Sequence, residues 1–297
     1  MPTSALEQRL EHLLGHQNPD GGWGYYPSKE SWTEPTVYAA LALSHLHRDA
    51  ARRAFDQLRA RQLPMGAWSA SSRVPEAHWS TALVLLLHQA LGVTDAAYDR
   101  GLAWLLSTTG NDTNAFDRLL RMFGRQQLVE QNVDLPGWPW RPGNASWVEP
   151  TALSVLCLKR SSRKDAPAQA RIDAGVKLLL DRRCDDGGWN YGNRRVYRVP
   201  LESYPETTGL ALLALQGRGD LGKSVERARA YLKSAPRGMA RAWLQIALAC
   251  LENGSCGPLD GQLPAGGDIV VTALETIGAQ PALLGVFRSE AGLGRKS

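Results

Sequence analysis

A seven-residue block recurs four times along the chain, and a second block follows each copy at a nearly fixed distance. Gln17-Asn-Pro-Asp-Gly-Gly-Trp23 is echoed by Gln62-Leu-Pro-Met-Gly-Ala-Trp68, Asn132-Val-Asp-Leu-Pro-Gly-Trp138 and Arg183-Cys-Asp-Asp-Gly-Gly-Trp189. The second block reads Ser31-Trp-Thr-Glu-Pro-Thr36, Ala77-His-Trp-Ser-Thr81, Ser146-Trp-Val-Glu-Pro-Thr151 and Ser203-Tyr-Pro-Glu-Thr-Thr208. Nineteen residues separate the first residue of the block from the key threonine in the first three copies, and twenty-five do so in the fourth. Repetition at this period is the mark of an architecture that stacks one supersecondary unit many times.

Between the loops the apolar residues fall three and four apart, as in Leu6/Leu10/Leu13/Leu14, Leu83/Leu86/Leu87 and Leu102/Leu105/Leu106. That is the spacing of an amphipathic helix, and no convincing period-two run competes with it. Each unit reads as an outer helix, a Gly- and Trp-containing loop, and an inner helix opening at the second block, where proline and an acid suit a helix N-terminus. Copies start 45, 70 and 51 residues apart, so a truncated repeat is expected in the long gap, bounded by Ser107–Thr113. Residues Asn114 to Gln131 would then form one helix or two. A sixth unit is expected to begin at Ser234–Gly238 and to end in Trp243–Leu251. The expected fold is all-α, an (α/α)6 toroid with a central cavity, formed by a single domain over residues 1–297.

Composition narrows the partners. The net charge of +5 comes from 34 basic and 29 acidic residues without a basic stripe, which argues against nucleic acid. The longest aliphatic run, Ala82 to Leu87, is far too short to span a bilayer. No secretory signal opens the chain, and the four cysteines have no C-x-x-C pair, so free thiols and a cytoplasmic location are expected.

The Gln-x-x-Asp-Gly-Gly-Trp block resembles the QW repeat of squalene–hopene cyclases and related terpene cyclases, seen in degenerate form in protein prenyltransferase β-subunits. The resemblance covers roughly residues 5 to 250 and implies the α/α toroid of that superfamily. Class II terpene cyclases protonate an alkene or epoxide with the central acid of an Asp-x-Asp-Asp motif followed by Thr-Ala. No such motif is present here. Aligning its threonine with Thr36, Thr151 and Thr208 puts Glu34, Glu149 and Glu206 in the place of the central acid, and Trp32, Trp147 and Tyr204 in that of the first aspartate. The prenyltransferase zinc ligands find no counterpart, since the same register holds Glu149, Thr151 and Glu206 rather than a thiolate and an imidazole. Pro75-Glu-Ala-His78 is similar to a Glu-Ala-His that helps bind diphosphate in those enzymes.

Several side chains are therefore candidates, each with a plainer reading beside it. Glu149 is the first choice for a general acid, with Glu206 and Glu34 next, because like charges gathered in an apolar cavity raise one another's pKa. By the unit count, Glu149 and Glu206 stand on neighbouring inner helices and Glu34 faces Glu149 across the ring. The plainer reading is that an acid at a helix start stabilises the helix by about 0.3–1 kcal/mol. Trp32, Trp79, Trp147 and Tyr204 either line a pocket whose π faces favour a cation or pack the rim. Trp23, Trp68, Trp138 and Trp189 read as packing anchors. His78 is a possible ligand or base. The six-residue insertion of the fourth copy brings Arg194, Arg195 and Arg198, which either clamp an anion or form a solvated cluster.

The function expected is an isoprenoid-handling enzyme that protonates and cyclises or isomerises a prenyl substrate. No cofactor is called for, unless Mg2+ accompanies a diphosphate. A homodimer or a partner helical domain is expected to close the site if the toroid does not. The alternatives are a non-catalytic toroid that binds an apolar ligand and, further off, a carbohydrate-active α/α toroid with two glutamates in a Trp-lined cleft.

Overall fold

The computed structural model describes residues 4–112, 131–218, 220–234, 237–259 and 261–289. Its helices, in chain order, are α1 (Ala5–Gly15), α2 (Thr33–Leu43), α3 (Arg48–Ala60), α4 (Thr81–Ala90), α5 (Ala96–Ser107), α6 (Val148–Arg160) and α7 (Ala166–Asp181). There follow a two-stranded hairpin, β1 (Arg195–Val196) and β2 (Val199–Pro200), then α8 (Pro205–Ala214), α9 (Gly222–Ser234), α10 (Met239–Leu251), α11 (Ile269–Gly278) and the single turn α12 (Pro281–Leu284).

Two kinds of helix alternate. In α2 every residue but Glu34 is buried, and α4, α6, α8, α10 and α11 are likewise apolar on nearly all sides. A helix with no polar face must be enclosed by others. These six pack in the order α2, α4, α6, α8, α10, α11, and α11 returns to α2, which closes a ring. The outer helices bury only one stripe, as α3 does with Ala50, Ala51, Ala54, Phe55 and Leu58, and each lies against the inner ring. The expected (α/α)6 toroid is thus the observed fold.

One hydrogen-bond scheme ties each loop to its inner helix. The backbone N–H of Trp23, Trp68, Trp138 and Trp189 donates to the buried hydroxyl of Thr36, Thr81, Thr151 and Thr208, at 2.9, 2.9, 3.0 and 3.0 Å. Each indole N–H donates to a carbonyl of an outer helix: Leu13, Leu58, Leu105 and Leu179. That carbonyl lies ten residues back in three copies and 33 back in the third. The extra length between the second and third copies therefore falls between Leu105 on α5 and Trp138, and most of it, with the truncated repeat expected there, lies outside the described residues. Asp112 accepts from Ser146 as Asp20 accepts from Ser31 and Asp186 from Ser203.

Two expectations are corrected here. Among the described residues no inner helix stands between α4 and α6, which are direct ring neighbours, and the sixth place belongs to α11. Its loop carries no tryptophan and its first turn no Glu-Pro-Thr, so the repeat did not announce it. The expected helices in Asn114 to Gln131 fall almost wholly outside the described residues. With the count revised, Glu34, Glu149 and Glu206 sit on ring positions one, three and four. Glu149 and Glu206 are on neighbouring helices as expected, but Glu34 does not face Glu149 across the ring; only α4 separates their helices.

Candidate active site

All inner helices begin on one face of the ring, and the N-terminal ends of α2, α4 and α6 enclose a cavity of about 350 Å³. Its walls are Tyr25, Trp32, Glu34, Ala70, His78, Trp79, Ser80, Trp140 and Glu149. The backbone explains why these residues converge. Trp32, Trp147 and Tyr204 occupy the extended residue just before α2, α6 and α8. Their N–H groups donate to the carbonyls of Trp23, Trp138 and Trp189, and in the second copy the donor to the Trp68 carbonyl is His78. An aromatic cannot cap a helix with its side chain, and none of the three does. The glutamate two residues on falls in the first turn of each of these helices.

This bonding revises the second copy. His78, not Trp79, shares the position of Trp32, Trp147 and Tyr204, and Ser80 stands where the other copies carry Glu34, Glu149 and Glu206. One residue fewer between His78 and Thr81 shifted the register read from sequence. Trp79 still faces the cavity, in edge contact with Trp140 at 5.2 Å between ring centres.

The two cavity glutamates differ in their surroundings. Glu149 has its pKa pushed up to about 8, chiefly by burial and then by the charges of Glu34 and Glu206. Glu34 is also raised by burial, with Asp268 at the head of α11 adding to it, while a hydrogen bond of 2.6 Å from the Tyr25 hydroxyl opposes the shift. Both side chains keep surface open to the cavity, so water reaches the acids even though protein surrounds them. Tyr38, wholly buried one turn below Glu34, has its hydroxyl held in the neutral form by burial and by both carboxylates. Near neutral pH the arrangement holds a protonated Glu149 facing a largely aromatic wall.

His78 is pushed down to about 4 by burial and by Arg141, so it is neutral at pH 7, and its Nδ1 lies 3.1 Å from the Ser80 hydroxyl. A neutral imidazole brings no charge to a diphosphate. Trp147, Tyr204 and Glu206 stand beside the cavity on the α6 and α8 side, without lining it. Tyr204 makes a tilted ring contact with Tyr191 at 5.3 Å and is 45% exposed. Arg194, Arg195 and Arg198 lie on or beside the hairpin inserted in the fourth copy. Arg195 pairs with Asp185 at 2.6 Å, and Arg198 is exposed; none of the three lines the cavity.

Tyr25, Ala70, Ser80 and Trp140 were missed by sequence reasoning. Three of them share a signal, since Tyr25, Ala70 and Trp140 each stand two residues after a loop tryptophan. Among the described residues no group of three or more His, Cys, Asp or Glu is placed to hold a metal ion. No helix among them is long and apolar enough to cross a membrane.

No family model matches the chain. The terpene cyclase-glycosyl transferase fusion protein fsoA of Humicola fuscoatra is 27% identical over 192 residues, which are 62% of this chain and 14% of that protein. The chain therefore spans about a seventh of the curated relative that it matches. Among solved structures, a variant of the type II terpene cyclase MstE from Scytonema, in complex with geranylgeranyl dihydroxybenzoate as substrate, superposes with a TM-score of 0.56 and 17% identity. That match covers 95% of this chain and 96% of the other. The endoglucanase Cel10 of Klebsiella pneumoniae, a family 8 glycosyl hydrolase, gives 0.60 at 12% identity over 93% and 99%. At these identities the structures speak for the ring alone. The chain thus shares its ring with a type II terpene cyclase and with a glycosyl hydrolase, and over part of its length it is similar in sequence to a terpene cyclase fusion protein.

Proposed function

We propose that the chain is an isoprenoid-handling enzyme that starts cyclisation or isomerisation of a prenyl chain by protonating it from Glu149. The observation that carries this reading is a carboxyl whose pKa is raised to about 8 and which faces a cavity lined by Trp32, Trp79 and Trp140. An ordinary carboxyl, ionised at pH 7, has no proton to give an alkene; burial among like charges supplies one. The Glu149 proton would pass to one carbon of a C=C bond, leaving a carboxylate and a carbocation. A further C=C bond closes on that cation, and the three indoles stabilise the charge as it moves, since the face of an indole attracts cations. Loss of a proton to a cavity base, Glu34 or water, would end the reaction with a neutral product. The proton lost restores the one given, so turnover needs no redox partner.

The reading needs no metal, and Mg2+ would enter only with a diphosphate substrate. Closure of the open mouth by a second copy or by another helical domain belongs to the same proposal. The test is incubation with squalene, geranylgeranyl dihydroxybenzoate, farnesyl diphosphate and geranylgeranyl diphosphate, with and without magnesium, followed by gas chromatography and mass spectrometry. A cyclic product that falls by at least roughly a hundredfold in Glu149→Gln, the usual scale for loss of a general acid, supports the assignment. Product formation unchanged in that variant removes Glu149 from the mechanism. Glu206→Gln and Glu34→Gln, run beside it, rank the remaining acids.

A second reading has one observation in its favour, the likeness of the ring to a family 8 glycosyl hydrolase, since paired glutamates beside tryptophans also suit glycoside hydrolysis. Release of reducing sugar from a β-glucan, abolished in Glu149→Gln, would favour it over the isoprenoid reading.

A further inference from the structure

The residue two places after each loop tryptophan makes the same backbone bond in all four copies. The carbonyls of Tyr25, Ala70, Trp140 and Tyr191 accept from the N–H of Ile269, Thr33, Trp79 and Val148, at 2.9, 2.8, 3.1 and 2.9 Å. Each donor is at or just before the start of the inner helix that precedes the loop around the ring, so the four residues form a collar, one in each gap between consecutive helix starts from α11 to α8. Three collar positions carry a large aromatic, and the gap between α2 and α4 carries Ala70. The cavity reaches that gap, where Ala70 is one of its walls, with Tyr25 and Trp140 to either side. Backbone anchoring leaves no freedom for the loop to close over the missing side chain. Beyond the Ala70–Thr33 bond, the Thr33 hydroxyl donates to the Ser69 carbonyl at 2.6 Å, and Ser71 pairs with Trp32.

We propose that Ala70 is the specificity-determining residue of the site: the aromatic it lacks is the space that receives the far end of the prenyl chain. The inference rests on the isoprenoid reading above and adds to it where the length of the guest is set. A chain lying between the Glu149 carboxyl and the α2–α4 gap runs past Trp79 and Trp140, with its reacting end at the acid and its remaining isoprene units at Ala70. Tyrosine or tryptophan at position 70 would fill that end without touching the acid. Such a substitution is compatible with the backbone, because three other copies hold those residues in the same hydrogen-bonding arrangement.

Calorimetric titration with geraniol, farnesol and geranylgeraniol tests this on the whole chain, for wild type, Ala70→Tyr and Ala70→Trp, with thermal melts to confirm that each variant is folded. The expected result is that Ala70→Trp weakens geranylgeraniol by at least about tenfold while geraniol stays within about threefold, and Ala70→Tyr falls between, since pocket discrimination against added methylenes is of this order. Equal affinities in wild type and both variants would overturn the assignment of Ala70 and leave the isoprenoid reading intact. Loss of all three alcohols together would also overturn it, because the substitution would then block the site without measuring length. Failure of wild type to bind any of the three would overturn both.

Discussion

A single half-buried carboxyl does most to define the site, and its protonation predicts a stability effect that needs no substrate. Because the fold raises the Glu149 pKa to about 8, it favours the neutral acid over the ion. The native state holds that proton where the unfolded chain, near pKa 4.3, has released it. Stability from this group is complete below the unfolded pKa, declines as pH rises above it, and is spent once pH passes the folded pKa. Glu149→Gln, which is neutral at every pH, is therefore expected to match wild type near pH 4 and to unfold at higher urea than wild type at pH 9. Identical pH profiles for the two would refute a raised pKa at this residue. The same residue fixes the pH limb of catalysis, with activity falling as pH rises through about 8. At this scale the sequence was informative, since three threonines in register led to Glu149 and Glu34. Tyr25 and Ala70 stand two residues after a loop tryptophan, but that spacing alone does not show their role, which depends on a bond to the neighbouring repeat. Trp79 was placed one position off because a one-residue deletion at the start of α4 is invisible until the backbone bonds are seen.

At the scale of elements, the loops carry both the packing and the variation. The buried threonine that receives the tryptophan N–H is an obligate acceptor: Thr208→Val leaves the Trp189 N–H unpaired in a dry interior and is expected to cost about 1–3 kcal/mol, whereas Thr208→Ser retains the bond. Urea unfolding of the two variants distinguishes loss of the acceptor from loss of a methyl group. The fourth loop holds the inserted hairpin, in which Arg195 pairs with Pro200 and Val196 with Val199. Its two turn residues, Tyr197 and Arg198, both have positive φ, 50° and 64°. A two-residue turn of this kind favours Asn-Gly, because side chains beyond asparagine or glycine crowd the backbone there. The double variant Tyr197→Asn/Arg198→Gly is expected to raise stability by about 1–2 kcal/mol; an unchanged urea midpoint would show that the turn is not strained. The hairpin was legible only as six extra residues, and the extra length before Asn132 only as an overlong gap. A count of residues does not say which outer helix a loop tryptophan is tied to, whereas the indole bond from Trp138 back to Leu105 does.

The ring as a whole must close, and the closure joins the two ends of the chain. Packing of α11 between α10 and α2 carries it, with polar ties beside it. Gln280 donates to the Ala42 carbonyl at 3.0 Å. Arg9, wholly buried on α1, donates to Glu275 on α11 at 2.8 Å and to the carbonyls of Ala5 and Gln262. A buried ion pair adds little over an apolar substitute, but removing one partner strands the other charge at a cost of about 3–5 kcal/mol. Repeat arrays otherwise behave as chains of neighbours, each unit stabilised only by the next; closure makes the first helix and the last inner helix depend on one another. The repeat made the α/α architecture legible, but α11 carries none of its letters, so the partner of the first helix was not. Glu275→Leu is accordingly expected to lower the urea midpoint, and in native-state hydrogen exchange to reduce the protection of α1 and α11 together, while α6 and α7 keep theirs. Loss of protection spread evenly over the whole ring would instead mean that the toroid unfolds as one unit, with no weaker seam at its closure.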